Sequence, residues 1–141
     1  MLNIHQDFCR ETFYKGQLVD FQPVYEENFN FSYDVMDVLG EKEPERRAML
    51  WCNDKGEEHT FTFGDMMKFS NQAANLFTSL GVKRGDTVML VLKRHYQFWF
   101  AILALHKIGA FVIPATNLLT KKDFVYRFNA ASIKGIICTS D

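Results

Sequence analysis

The chain has 141 residues, 48% of them hydrophobic and 15% aromatic, which suits one ordinary domain or a piece of a larger one. Sixteen basic and seventeen acidic residues give a formal net charge of -1, so the composition offers no electrostatic basis for binding nucleic acid or an anionic membrane surface. No apolar run approaches the ~20 residues of a membrane span, and the first ten residues lack signal-peptide features. We therefore expect a cytoplasmic protein without a nucleic-acid partner or a membrane span.

Residues 1–46 are predicted to form an N-terminal arm with short helices. The first helix is predicted over Ile4 to Tyr14. The stretch from Gln17 to Phe31 is expected to be irregular and to be held against the body by its aromatic side chains. Ser32 is a candidate N-cap for a second short helix over Tyr33 to Leu39.

The second part, residues 47–141, is predicted to begin with a β-hairpin. Its strands are Ala48 to Cys52 and His59 to Phe63, and turn-forming residues lie between them. A long helix follows the hairpin, because Thr62 and Asp65 match a capping box and apolar residues then recur at helical spacing.

The rest of the chain alternates between strand and helix patterns. Buried strands are predicted over Thr87 to Leu92, Ala110 to Pro114 and Gly135 to Thr139. A strongly apolar helix over Tyr96 to Ile108 and a helix capped by Thr120 separate them. This βαβαβ order predicts an α/β fold, the start of a doubly wound parallel sheet. The domain is expected to be incomplete, since no helix follows the third strand.

Cysteine and histidine spacing argues against a metal site, so the sequence assigns no metal ligand and no catalytic residue. The glycines Gly81 and Gly85 do not match a nucleotide phosphate loop, because only three residues separate them and Asp86 follows.

Two loops follow predicted parallel strands at their carboxyl ends, where α/β proteins bind ligands. The first, Lys93 to Tyr96, is basic and aromatic, and it is either a binding loop or a solvated connection. The second, Pro114 to Leu119, enters the helix at Thr120. This loop either binds an anion through its backbone amides at the start of the helix, or it is an ordinary connection between a strand and a helix.

Five stretches, in this order, resemble motifs of one enzyme superfamily. Phe61 to Met66 and Leu105 to Pro114 resemble the first and second core motifs of the adenylate-forming enzymes, and Gly81 to Val88 resembles a recurrent stretch between them. Phe29 to Val35 and Pro114 to Thr120 resemble the medium-chain acyl-CoA synthetase branch, which is close to acetyl-CoA and benzoate-CoA synthetases.

The resemblance implies an N-terminal fragment of an AMP-forming acyl-CoA synthetase. Such an enzyme uses ATP and Mg²⁺ to convert a carboxylate (a short- or medium-chain fatty acid, or acetate) into an acyl-adenylate, which CoA then attacks. The family's phosphate loop, adenine motif, ribose-binding Asp and C-terminal domain have no match in this chain. The fragment is therefore expected to be inactive and to hold none of these cofactors, and its partner is the remainder of the parent synthetase.

One part of the CoA site is implied by the same resemblance. In related acetyl-CoA synthetases the loop after the second core motif lies beside bound CoA. The matching residues here are Thr116, Asn117, Leu118 and Leu119, although the family often has glycines where this chain has Asn117 and Leu118.

Two alternatives remain open at the level of sequence. The chain is a stand-alone, non-catalytic binding domain, or its parent is an aryl-CoA ligase or a carrier-loading adenylation domain. If the domain is incomplete, uncovered apolar faces of the strands and of the helix Tyr96 to Ile108 are expected to drive homo-oligomer formation.

Overall fold

The computed structural model describes residues 2–140, and it consists of helices, two hairpins and a parallel sheet. Its elements, in chain order, are α1 (His5–Phe8), β1 (Cys9–Tyr14), β2 (Gln17–Pro23), a π-helical segment (Ser32–Asp37), α2 (Val38–Lys42), β3 (Arg47–Cys52), β4 (Glu58–Thr62), α3 (Phe63–Ser79), β5 (Thr87–Val91), α4 (Gln97–Ile108), β6 (Phe111–Pro114), α5 (Lys121–Ala131) and β7 (Ile133–Cys138).

The parallel sheet has the order β6-β5-β7, with both neighbours parallel to β5. Val88 and Leu90, on one face of β5, pack in a cluster with residues of α4. Met89, on the other face, packs in a cluster with residues of α5. The helices therefore cover opposite faces of the sheet, which confirms the predicted α/β fold with a doubly wound start.

The burial of the strands differs from the prediction. The central strand β5 is buried as expected, with Met89 and Leu90 at 0% exposure. Full burial of the other two strands was wrong, because Phe111 in β6 is 65% exposed and Ile136 in β7 is 41% exposed. The physical reason is their position, since each has a single neighbour in the sheet. The same exposures agree with the expectation that an incomplete domain leaves apolar faces of its strands uncovered.

The helix α4 is more completely covered than the sequence predicted. Leu103, Ala104 and Leu105 are buried, because α3 and the π-helical segment pack against α4 along with the sheet. Only one large apolar side chain of α4 is prominently exposed, Trp99 at 51%. The expectation of an uncovered α4 face was therefore wrong except at Trp99. Among residues 2–140, no helix combines the length and the apolarity of a membrane span.

Local signals correctly located the second hairpin and both capped helices. β3 and β4 pair antiparallel. The Thr62 hydroxyl accepts from the Asp65 amide at 3.1 Å, and the Asp65 carboxylate accepts from the Thr62 amide at 3.0 Å, which completes a capping box at the start of α3. Thr120 and Asp123 form the same box at the start of α5.

The arm contains a hairpin that the sequence analysis missed. Only His5–Phe8 of the predicted helix Ile4 to Tyr14 is helical, and the next residues form β1. β1 pairs antiparallel with β2, so Gln17 to Pro23 is not irregular. Lys15 and Gly16 have φ values of 50° and 79°, and two consecutive positive values reverse the chain in a two-residue turn of the kind that closes hairpins.

The arm is anchored to the body by polar contacts. The prediction of Ser32 as an N-cap was wrong, because Ser32 is 0% exposed and its hydroxyl donates to the Leu103 carbonyl at 3.0 Å. The Asn30 side-chain amide donates to the His106 carbonyl at 2.8 Å. Three of the aromatic side chains that were expected to hold the arm are largely exposed, namely Phe21, Tyr25 and Phe31.

Candidate functional site

The strongest candidate site is a crevice at the carboxyl edge of the parallel sheet. β5 and β6 are neighbours, but the chain continues from β5 into α4 on one face and from β6 into α5 on the other. The loops after β5 and β6 therefore leave the carboxyl edge of the sheet toward opposite faces, and open α/β sheets bind ligands outside the carboxyl ends of their strands. The crevice has a volume of about 700 Å³, within the size range of small-molecule sites.

Three segments supply the walls of the crevice. The loop after β5 contributes basic side chains, the loop after β6 contributes small and polar ones, and the β3–β4 hairpin closes one end. The lining residues are Trp51, Asp54, Lys93, Arg94, His95, Ala115, Thr116 and Asn117. The two loops that the sequence singled out therefore meet in one place.

The loop after β5 is a tight turn that the hairpin holds in place. Lys93 has a positive φ of 47°, and the His95 amide donates to the Leu92 carbonyl at 2.9 Å. The Trp51 indole donates to the Arg94 carbonyl at 2.6 Å, and its ring meets the Tyr96 ring edge-on at 5.4 Å. These contacts fix the backbone of the turn.

The loop after β6 contributes two of the four predicted CoA-binding residues to the crevice. Thr116 and Asn117 line it, whereas Leu118 and Leu119 do not, and Leu118 is 81% exposed. The Leu118 amide donates to the Thr116 hydroxyl at 3.2 Å. The Ala115 amide donates to the Leu90 carbonyl at 2.8 Å and so joins this loop to β5. A CoA-binding role for all four residues stays a prediction.

The charges in the crevice favour an anion. The lining includes two cationic side chains, those of Lys93 and Arg94, the His95 imidazole, and one carboxylate, that of Asp54. Low-dielectric walls around a site with an excess of one charge concentrate ligands of the opposite charge. The crevice is thus suited to bind an anionic ligand through side chains and loop amides.

Groups with a shifted pKa lie outside the crevice. Burial lowers the pKa of the His106 imidazole on α4. Lys134 and Arg46 hold the pKa values of Asp86 and Glu43 below their usual range, and the Thr120 hydroxyl does the same for Asp123. The contacts of Asp86, Glu43 and Asp123 are capping and ion-pair contacts that support the fold. Within residues 2–140, no group of three or more His, Cys, Asp or Glu side chains could hold a metal ion.

Sequence reasoning missed Trp51 and Asp54. Both belong to the β3–β4 hairpin, which precedes the loop after β5 by about forty positions in the chain. The turn residues around Asp54 were recognised as a turn, but no local signal shows which end of a distant sheet a hairpin turn approaches.

The sequence family described as "AMP-binding enzyme" matches residues 37–141. The chain is 42% identical over 121 residues to a rat protein named acyl-coenzyme A synthetase ACSM5, mitochondrial, and the match covers 82% of this chain and 21% of the relative. It is 35% identical over 130 residues to human acyl-coenzyme A synthetase ACSM3, mitochondrial, with 88% of this chain and 22% of the relative covered. The chain therefore spans about a fifth of the length of these curated relatives.

Solved structures share the fold at low sequence identity. The crystal structure of a Brucella canis acyl-CoA synthetase matches with a TM-score of 0.74 at 22% identity, over 80% of this chain and 20% of that one. The N-terminal subdomain of Klebsiella oxytoca NpsA matches with a TM-score of 0.68 at 20% identity, over 76% of this chain and 27% of that one. Both likenesses are evidence for the fold of the chain.

Proposed function

Because this chain belongs to the AMP-binding enzyme family, and its curated relatives are acyl-CoA synthetases, we propose that it is the N-terminal part of an AMP-forming acyl-CoA synthetase. The whole enzyme joins a carboxylate to AMP, with release of pyrophosphate from ATP, and then transfers the acyl group to the thiol of CoA. The proposed substrate is a short- or medium-chain carboxylate, because the motifs resemble the medium-chain acyl-CoA synthetase branch and the curated relatives are named acyl-coenzyme A synthetases ACSM3, ACSM4 and ACSM5.

The crevice at the carboxyl ends of β5 and β6 carries the part of this proposal that concerns the chain itself. We propose that it forms one wall of the CoA site, with Thr116 and Asn117 facing the ligand. Its position at the carboxyl ends of β5 and β6, its size and its excess of positive charge all suit a nucleotide-bearing thiol such as CoA. Leu118 and Leu119 follow in the same loop but do not line the crevice, so contact between them and CoA stays a prediction.

Within residues 2–140, no three His, Cys, Asp or Glu side chains lie close enough together to hold a metal ion. Mg²⁺ in nucleotide sites is held by one or two carboxylates together with phosphate oxygens, and the family's phosphate loop has no match in this chain. The residues that would hold the ion and the phosphates of ATP are therefore proposed to lie elsewhere in the longer protein. The chain's own residues provide the scaffold and the crevice wall.

An activity assay tests the proposed enzyme directly. The full product of the gene, incubated with ATP, Mg²⁺, CoA and a panel of short- and medium-chain carboxylates, should form acyl-CoA, AMP and pyrophosphate. The 141-residue chain alone should form none. Acyl-CoA formation by the short chain would contradict the location of the catalytic groups, and failure of the full product with every carboxylate would contradict the proposed activity.

The cytoplasmic location expected from the sequence stays a proposal. The relatives' names describe those proteins as mitochondrial. Fractionation of cells that express the tagged protein would test the location, and recovery with mitochondria would contradict it.

A further inference from the structure

The turn after β5 presents three consecutive basic side chains on the molecular surface. Lys93, Arg94 and His95, which we call the basic turn, are all exposed. They line the crevice on one side and a smaller recess of about 310 Å³ beside Trp99 on the other. The basic turn therefore forms the ridge between two concave surfaces, and a bound ligand can reach it from the crevice.

Arg94 is the residue of the basic turn best placed to hold an anion. Neither Arg94 nor His95 forms an ion pair within residues 2–140. The Arg94 carbonyl accepts a hydrogen bond from the Trp51 indole, which holds the backbone of this residue in place beside the crevice. A guanidinium group binds phosphate through two parallel hydrogen bonds, which gives it both strength and geometric selectivity.

The chemistry of CoA supplies a matching group. The 3′-phosphate of its ribose is a monoester that carries between one and two negative charges at neutral pH, like other phosphate monoesters. Dephospho-CoA lacks this group and keeps the adenine, the pyrophosphate and the pantetheine thiol. A basic turn at the edge of a CoA site would therefore bind CoA more tightly than dephospho-CoA.

We propose that the basic turn binds the 3′-phosphate of CoA, with Arg94 as the principal contact, and so makes the crevice selective for CoA over dephospho-CoA. This inference rests on the proposed role of the crevice in CoA binding. The terminal phosphates of ATP share the same chemistry, and the experiment below separates the two sources.

The resemblance implied a fragment that holds no cofactor, whereas this inference requires the crevice wall to keep measurable affinity for CoA by itself. The test is a titration of the isotopically labelled 141-residue chain, followed through its backbone amide resonances, with CoA, dephospho-CoA and ATP in turn. CoA should bind about tenfold more tightly than dephospho-CoA, the ratio expected for loss of one charge-assisted contact. ATP should bind more weakly than CoA. The same spectra report whether each variant is folded.

Variants assign the selectivity to the turn. In Arg94→Gln the affinity for CoA should fall to that for dephospho-CoA, while the affinity for dephospho-CoA stays unchanged. Arg94→Lys should keep part of the selectivity, since it retains the charge but loses the planar fork. Arg10→Gln, which removes an exposed arginine from β1, is the matched control and should keep the full ratio.

The outcomes distinguish this inference from the proposed function. Equal affinities for CoA and dephospho-CoA, or full selectivity in Arg94→Gln, would overturn the role of the basic turn and leave the crevice as a CoA site. Tighter binding of ATP that Arg94→Gln abolishes would reassign the turn to a polyphosphate. No resonance shift with either CoA compound would overturn the proposed CoA site, and this inference with it.

Discussion

A buried cation joins three helical segments of this chain. The Lys107 side chain is 1% exposed, and its ammonium donates to the Asp37 carboxylate and to the Asn71 side-chain oxygen, both at 2.7 Å. It also lies 5.6 Å from the centre of the Tyr33 ring. A buried charge is tolerated only when it is paired in this way, so the network fixes how the π-helical segment, α3 and α4 fit together.

Replacing Lys107 with Met should therefore destabilise the chain strongly. The Asp37 carboxylate would lose its partner in a site that is mostly shielded from water, which typically costs about 3–5 kcal/mol. Chemical denaturation measures the change in the free energy of unfolding, and Lys68→Met, which removes an exposed lysine from α3, should change it little. A cost for Lys107→Met as small as that of the control would mean that the network contributes nothing to stability.

Asp86 should make stability depend on pH in the acid range. The Lys134 ammonium and the Lys83 backbone amide hold the pKa of Asp86 below its unfolded value, so its ionised form stabilises the folded state. An aspartate in the unfolded chain has a pKa of about 4, and the contribution is fully present above that pH. It is lost as the pH falls through the lower pKa that Asp86 has in the folded state.

The wild-type chain should exceed Asp86→Asn in stability at neutral pH, and the difference should shrink as the pH falls below about 4. Unfolding curves across that range measure it. In a Lys134→Met background the effect of Asp86→Asn should be smaller at neutral pH, where the carboxylate is ionised. A difference that grows on acidification would contradict the direction of the pKa shift.

At the scale of elements, the sequence predicted what short segments determine by themselves. The capping boxes at Thr62 and Thr120 were visible because their partners lie three residues away, and the central strand was visible as an apolar run. The β1–β2 hairpin was missed because Lys15-Gly16 is a weak turn signal beside a stretch that also fits a helix. The contacts of Ser32 with α4 and of Lys107 with Asp37 join residues about seventy positions apart, and no local pattern encodes them.

Thr62→Ala should cost about 1 kcal/mol of stability, since it removes the oxygen that caps the first turn of α3. Thr78→Ala, an exposed change inside the same helix, should be neutral or slightly stabilising because alanine favours helices. Thermal unfolding of both variants compares them. Equal effects would show that the loss at Thr62 reflects a general property of threonine rather than the cap.

At the scale of the whole molecule, the site depends on topology that the βαβαβ pattern implied only in part. The pattern predicted parallel strands, but not that β6 and β7 lie on opposite sides of β5. That order sends the loops after β5 and β6 to opposite faces and opens the crevice. It also leaves β6 and β7 at the edges of the sheet formed by the described residues, which explains the exposure of Phe111 and Ile136.

We propose that the isolated chain self-associates through the exposed apolar side chains of its edge strands, which include Phe111 in β6 and Ile136 in β7. Exposed apolar side chains on a sheet edge and on the adjacent helix favour association. Ile136→Lys should lower the sedimentation-derived molar mass at high concentration, because a charge on an edge strand blocks pairing. Val19→Lys in β2 is the comparison, and a loss of association with that change alone would move the surface to the β1–β2 hairpin. A wild-type monomer at every concentration would contradict the proposal.

The central claim is that the crevice at the carboxyl ends of β5 and β6 is the ligand site of this chain. Mapping the amide shifts that CoA causes tests it most directly, because the positions of the shifts matter as well as their size. If CoA binds in the crevice, the largest shifts should fall in residues 93–96 and 115–119, with smaller ones near Trp51. A second, apolar pocket is lined by Met49, Met66 and Trp99 among others. Shifts confined to that pocket, or to the N-terminal hairpin, would contradict the claim.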